Sequence, residues 1–267
     1  MKVTEHHQRE FTYDICVVGG GIAGICAAIS AARNGSKVAL IQDRPVLGGN
    51  ASSEVRMWVC GAPGPDNKEA GIVEELQLAN QFLNPVQNYN LWDQTLYTKI
   101  IEEPNIDLYL NTSVIYTKSE NDAIKSIQAW QLTSQTWYHF NAKIFADCSG
   151  DSILRYCGAE FNHGKEARKE FNESLAPEEA NKNTMGNSIL LQCRQTDRHV
   201  PYQKPSWAYE YTDGDFNNRT VKITKNNNFW WIEYGGMKDT IIDAEEIRME
   251  VIKISLGVWS FMKNHPD

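Results

Sequence analysis

The stretch Asp14–Asn50, DICVVGGGIAGICAAISAARNGSKVALIQDRPVLGGN, leaves this chain little freedom in how it folds. Ile15–Val18 is an apolar run short enough for a strand buried on both faces. Three glycines follow at G-x-G-x-x-G spacing: Gly19, Gly21 and Gly24. Ile22, Ile25, Cys26, Ile29 and Ala32 then recur as one face of a helix. Asn34-Gly35 stops that helix, and Val38–Ile41 is a second buried strand. Together they read as a βαβ unit of about thirty residues, the context that the glycine spacing needs to carry meaning.

Each glycine has its own physical reason. Gly19 permits the tight turn out of the strand, Gly21 lets backbone approach a pyrophosphate, and Gly24 lets helix and strand pack closely. The first turn, Ile22-Ala23-Gly24, offers N–H groups and the positive end of the helix dipole to phosphates. The reading is a dinucleotide site; the alternative is a tight turn in an α/β sheet that holds no ligand. The position that usually carries a carboxylate for the ribose hydroxyls is Gln42, with Asp43 behind it, so either residue could make that contact. Arg44 could lie along the adenosine or favour a 2′-phosphate, which keeps NADP open.

Length and charge exclude other classes. The 267 residues allow one large domain or two modest ones, and 42% hydrophobic residues suffice for a core. A net charge of -8 argues against a large basic nucleic-acid surface. No apolar run approaches the roughly 20 residues needed to span a bilayer. The N-terminal MKVTEHHQREFTYD has no signal-peptide core and is expected to be a short polar lead, with His6-His7 in a solvated tail and the chain cytoplasmic. None of the six cysteines forms a C-x-x-C pair, so no zinc or iron–sulfur site, and no metal, is expected.

The segments VVGGGIAGICAA, VALIQDRPVLGGN and IFADCSGD resemble the FAD-dependent oxidoreductases of the glutathione-reductase-like fold, and within them the branch grouped with heterodisulfide reductase. The resemblance runs from Tyr13 to the C-terminus, with its specific motifs in Asp14–Arg56 and Lys143–Phe161. It implies FAD as the cofactor, with Gly48, Gly49 and Asn50 along the pyrophosphate and ribityl portion. It brings Arg56 near the isoalloxazine, to stabilise a reduced flavin or anchor an anionic substrate; pairing with Glu54 is the equal alternative. It also implies that the Val114 backbone reads the adenine edge, where the alternative is a plain turn between strands. Ser149, Gly150 and Asp151 would pass close to the cofactor, with Cys148 where the family has Ala and Ser149 where it has Thr. Cys60 has no neighbouring cysteine, so a packed or merely adjacent thiol outweighs a redox role.

Along the rest of the chain, Gly61–Gly71 reads as an exposed loop, followed by helices over 72–82 and 91–103 and a strand over 106–110. Strands over 114–117, 123–132 and 136–145 form an antiparallel meander, with Trp130, Trp137 and Tyr138 on its packing face. The polar stretch 162–183 is a candidate boundary. The fold class is therefore α/β: a Rossmann-type FAD/NAD(P)-binding domain with an inserted antiparallel β-meander over 1–161, and part of a second α+β substrate domain over 162–267. In that second part, strands over 184–194 and 228–233 precede a capping box, Asp243 with Glu246, on a final amphipathic helix. Its aromatic loop, Tyr202 to Tyr211, is read as packing ahead of ligand stacking.

Flavoproteins of this architecture commonly end in a segment that returns to close over the flavin, and nothing between Thr184 and Asp267 matches it. The sequence is therefore read as C-terminally truncated, or with its remainder encoded separately, and is expected to retain FAD weakly. The expected activity is hydride transfer between flavin and a small-molecule substrate, with a homo-oligomer or a separate C-terminal part as the other partner. The alternatives are an NAD(P)-binding Rossmann enzyme without flavin and a non-catalytic fragment or subunit. No catalytic residue is assigned.

Overall fold

A computed structural model describes residues 6–61, 69–150, 153–216, 219, 221 and 226–265. The chain divides into two compact units, Met1–Phe161 and Asn162–Asp267.

The first unit begins with β1 (His7–Val18), α1 (Ile22–Arg33) and β2 (Val38–Ile41). A single 3₁₀ turn at Gly49–Ala51 precedes helices α2 (Gly71–Leu83) and α3 (Tyr89–Ile101). Then come β3 (Ile106–Tyr109), β4 (Thr112–Glu120), β5 (Ala123–Gln131), β6 (Thr136–Asp147) and the short α4 (Ile153–Cys157). All six strands form one sheet in the order β3-β2-β1-β6-β5-β4. Pairing is parallel from β3 to β6 and antiparallel from β6 to β4. The meander is thus continuous with the core, because its last strand is also the parallel neighbour of β1.

Side-chain alternation explains why all four residues of β2 are apolar. Val38 and Leu40 pack with Val17 under α1, α2 and α3, while Ala39 and Ile41 join Cys16 and Val18 in a second cluster on the opposite face. Phe11, Tyr109 and Phe140 meet in that second cluster, and the ring centroids of Tyr109 and Phe140 lie 4.8 Å apart. Their strands stand three positions apart in the sheet, about 14 Å if it were flat. The sheet therefore curls on itself, and Thr112 at the start of β4 donates its N–H to the Gln42 carbonyl at 2.9 Å.

Three expectations need correction here. The polar N-terminal lead is strand from His7 onward, paired register by register with β6 from His7↔Thr136 to Val18↔Asp147. Its residues 7–10 are exposed, so no apolar period marks them; the backbone partner does. His6 is not in a bare tail either, since its ring meets Trp130 edge-on at 4.9 Å. The three meander aromatics do not share a face. Tyr138 is buried in the second cluster, whereas Trp137 pairs with Trp130 across strands, rings 5.0 Å apart, because neighbours on a strand point opposite ways.

In the second unit, β7 (Asn187–Arg194) pairs antiparallel with β8 (Asn226–Tyr234), and α6 (Ala244–Asn264) packs Ile247, Val251 and Val258 against Phe229 and Ile232. A four-residue helix, α5 (Arg168–Phe171), lies earlier in the chain. Tyr211 joins the same cluster and Tyr202 meets Trp259 edge-on, so these two aromatics serve packing. The capping box does not form. The Asp243 carboxylate accepts from the Asp239 N–H, and Glu246 pairs with Lys238, so neither side chain caps α6.

Candidate functional site

Three motifs converge at the carboxyl ends of β2, β1 and β6, which are neighbours in that order. The Gly19 N–H donates to the Ile41 carbonyl at 2.8 Å, Cys148 N–H to Val18 at 2.7 Å, and Gly48 N–H to Gly20 at 2.8 Å. Gly21 and Gly48 also pair as an isolated parallel bridge. The glycine loop, the Gly48-Gly49 segment and the Cys148-Ser149 element are therefore one hydrogen-bonded surface, although 129 residues separate Gly19 from Cys148 in the chain.

Packing separates the glycines by role. Gly19 has φ +101°, and a Cβ there would lie 2.3 Å from the Cys148 carbonyl oxygen. A Cβ on Gly24 would lie 1.8 Å from the Gly19 carbonyl oxygen, so this glycine sets how closely α1 approaches the loop. A Cβ on Gly49 would lie 3.2 Å from the Gly21 Cα. Gly21 differs from all of these: no protein atom lies within 4 Å of where its Cβ would be. It is the N-cap of α1, and no acidic residue stands in the first turn. The first helical N–H to find an intrahelical acceptor is that of Ile25, on the Gly21 carbonyl. The N–H groups of Ile22, Ala23 and Gly24 precede it and point out of the helix end. Open space above Gly21, ringed by outward amides, is a cradle for an anionic group, and the residues present fit a dinucleotide pyrophosphate.

Gln42 is buried, and both ends of its amide are engaged. Its Oε1 accepts from Gly20 N–H at 2.7 Å and its Nε2 donates to the Val46 carbonyl at 3.3 Å. Asp43 and Arg44 are exposed just beyond β2. Arg44 forms a two-pronged pair with Glu54, Nε to Oε2 at 2.8 Å and Nη2 to Oε1 at 3.0 Å. The alternative partner read for Arg56 is therefore taken. Arg56 instead donates from Nε to the Ser53 carbonyl at 3.1 Å, and its own carbonyl accepts the Tyr89 hydroxyl at 2.8 Å. Its φ of +65° is uncommon for a non-glycine residue. Met57 N–H donates to the Asn50 carbonyl at 2.9 Å, which folds the Arg56 turn back beside Gly49-Asn50.

Ser149 Oγ and N–H both donate to Asp147 Oδ1, at 2.6 and 3.0 Å, which fixes the turn that leads to Gly150 (φ +83°). Asp151 lies outside the described residues. The Val114 side chain is buried with Ile41 and Val18, the last residues of β2 and β1. Cys60 is exposed rather than packed, its Sγ 3.6 Å from the Trp58 carbonyl. Burial pushes the Cys16 thiol up to about 12, so it is inert. Burial, with Asp147 nearby, also raises the Cys148 thiol above its ordinary value. Among the described residues no cluster of three metal-ligating side chains exists, and no helix is long and apolar enough to cross a membrane.

Two contributors went unread in the sequence. Asp93 Oδ1 accepts the Ser53 N–H at 2.9 Å and pins the segment after Gly48-Gly49 to α3; no spacing rule links residues 40 apart. Asp147 lies within the IFADCSGD motif without an assigned role, and an Asp two residues before a Ser is a turn signal that points to one.

The FAD dependent oxidoreductase family matches residues 14–267, and the chain belongs to it. That family is one of FAD-dependent oxidoreductases. Curated relatives match in parts only. A fumarate reductase (cytochrome) of Shewanella frigidimarina is 60% identical over 40 residues, 15% of this chain and 7% of that protein. The digeranylgeranylglycerophospholipid reductase of Sulfolobus acidocaldarius is 31% identical over 134 residues, 47% of this chain and 26% of that protein. The chain thus covers well under two thirds of these relatives. Among solved structures, a myxobacterial FAD-dependent chondrochloren halogenase covers 58% of this chain and 41% of its own at 17% identity and a TM-score of 0.42.

Proposed function

We propose that the first unit holds FAD across the carboxyl ends of β1, β2 and β6, and that the chain acts as an oxidoreductase on a small-molecule substrate. The observation that carries this is Gly21. Every other glycine of the surface is explained by a protein neighbour or by a positive φ, whereas Gly21 borders open space at the start of α1, room that suits a pyrophosphate. Bound FAD supplies the hydride chemistry, to or from the substrate.

The chain's own residues bind and orient. The N–H groups of Ile22, Ala23 and Gly24 hold the pyrophosphate charge at the positive end of α1. Gly48, Gly49 and Asn50 lie along the same surface through the Gly21–Gly48 bridge. The engagement of Gln42 with Gly20 and Val46 supports Asp43 as the ribose carboxylate. Arg56, not paired with Glu54, supports a cation placed to stabilise developing negative charge. Ser149 and Gly150 close the surface on the β6 side, and the Val114 backbone is assigned to the adenine edge. The 162–267 unit is assigned to the substrate side.

The test is a thermal-shift series with FAD, NAD and NADP, followed by the absorbance spectrum of anything released on denaturation. FAD is expected to raise the melting temperature alone among the three. A shift with NAD or NADP and none with FAD would replace flavin by a nicotinamide reading. Arg44 is paired with Glu54, so a 2′-phosphate would compete with that carboxylate for the guanidinium.

A further inference from the structure

The hairpin of α2 and α3 borders an open cleft of about 570 Å³ beside Ala51 of the Gly49–Ala51 turn. Its wall is unusual in carrying five carboxamides: Gln77, Asn80, Asn84, Gln87 and Asn88. Three rings complete it, Trp58, Tyr89 and Trp92, with Val59 and Ala51 filling the remainder. Among the described residues, no carboxylate, ammonium or guanidinium lines it.

Folding accounts for part of this wall. Buried Asn84 donates from Nδ2 to Asn80 Oδ1 and to the Asn88 carbonyl, and its Oδ1 accepts the Asn88 N–H. Asn88 Oδ1 in turn caps α3 through the Asn90 N–H. Those bonds hold the hairpin together. They do not account for Gln77 and Gln87, whose side chains make no hydrogen bond among the described residues, or for Trp58, which stands 55% exposed at the wall.

We propose that this cleft binds a neutral, hydroxyl-rich ring of the carbohydrate class. A carboxamide both donates and accepts, as a hydroxyl does, so the two are mutual partners. Among the described residues an anion or cation would meet no counter-charge here to offset the hydration it gives up. An apolar ligand would strip water from the free amides and leave them unpaired. These amides come from α2, from the connection and from the start of α3. That distribution suits a ring with hydroxyls around its whole circumference, one face stacked on Trp58. The volume lies within the range of small-molecule sites. That the ligand is also the substrate of the flavin rests on the proposed function; that the cleft binds it does not.

Calorimetric titration of the 267-residue chain with glucose and maltose, and with glucuronate and glucose 6-phosphate as charged comparators, tests this. At least one neutral sugar is expected to bind saturably, about tenfold or more tighter than its charged counterparts, and equally well with and without FAD. Trp58→Ala and Gln77→Leu should each weaken it about tenfold, with melting temperatures within about 2 °C of the parent, because neither side chain holds the fold. Failure of both neutral sugars to bind, equal binding of the charged ones, indifference to both substitutions, or displacement by FAD would each overturn the proposal. A thermal shift with FAD but no sugar binding would sink this inference and leave the flavin reading standing. Sugar binding without an FAD shift would do the reverse.

Discussion

Gly21 and Gly24 stand three residues apart in one motif, yet substitution should separate them cleanly. Gly24→Ala places a methyl 1.8 Å from a backbone oxygen that cannot move without breaking the loop. It should cost about 3 kcal/mol or more, read as a large drop in urea midpoint. Gly21→Ala meets no protein atom and its φ of -68° suits any residue. It should leave the melting temperature unchanged while weakening FAD by about tenfold or more, measured by flavin fluorescence; unchanged FAD affinity would remove the cradle. Gln42→Leu strands the Gly20 N–H and the Val46 carbonyl in a buried place, and about 2 kcal/mol of stability should go with it.

At the scale of elements, the helical layer is tied together by charge as well as by apolar packing. Arg33 at the end of α1 pairs with Glu75 on α2 and with Glu103 beyond α3, and Lys99 on α3 also reaches Glu75. Arg33 foremost, then Lys99, lowers the Glu75 carboxyl from 4.5 to about 2. A depressed carboxylate stabilises the fold above its unfolded value near 4.5, and that contribution is lost as the pH falls toward 2. Both Glu75 and Arg33 are over a third exposed, so after solvent screening the cluster is worth about 0.5–1 kcal/mol. Glu75→Gln should therefore lower the urea midpoint at pH 7 and lose that difference near pH 2. A gap that stayed constant across this window would show that the charge plays no part.

Across the whole molecule, each unit carries its own hydrophobic core. The two clusters of the first unit use residues from Phe11 to Cys157, and the third cluster uses Ile189 to Met262. Between them runs a stretch whose side chains are mostly exposed, Phe171 and Leu175 among them. Limited proteolysis of the full chain should cut first in 162–183 and yield a fragment near 1–161. Added FAD should slow further digestion of that fragment and not of its partner, and equal protection of both would contradict a flavin site confined to the first unit.

The sequence by itself determined the βαβ unit and its glycines, because strand, turn and helix signals there are local and agree. The close approach at Gly24 follows from the Gly19 carbonyl a few positions away, whereas the neighbour that would block a Cβ on Gly19 is Cys148, brought there by the sheet. It also carried the family motifs that point to FAD. Only the tertiary structure decided which neighbour each polar side chain takes. Gln42 turns inward to Gly20, Arg44 takes the Glu54 that Arg56 could have held, and Asp93 reaches Ser53 from another helix. It alone extended β1 back to His7, since a strand of exposed polar residues is specified by its partner across the sheet. The carboxamide wall was likewise hidden, because α2 and α3 bring its residues together only by folding against one another. Local periodicity encodes elements; hydrogen-bond choice at strand ends is settled by chain segments far apart in sequence, and only packing brings them within reach.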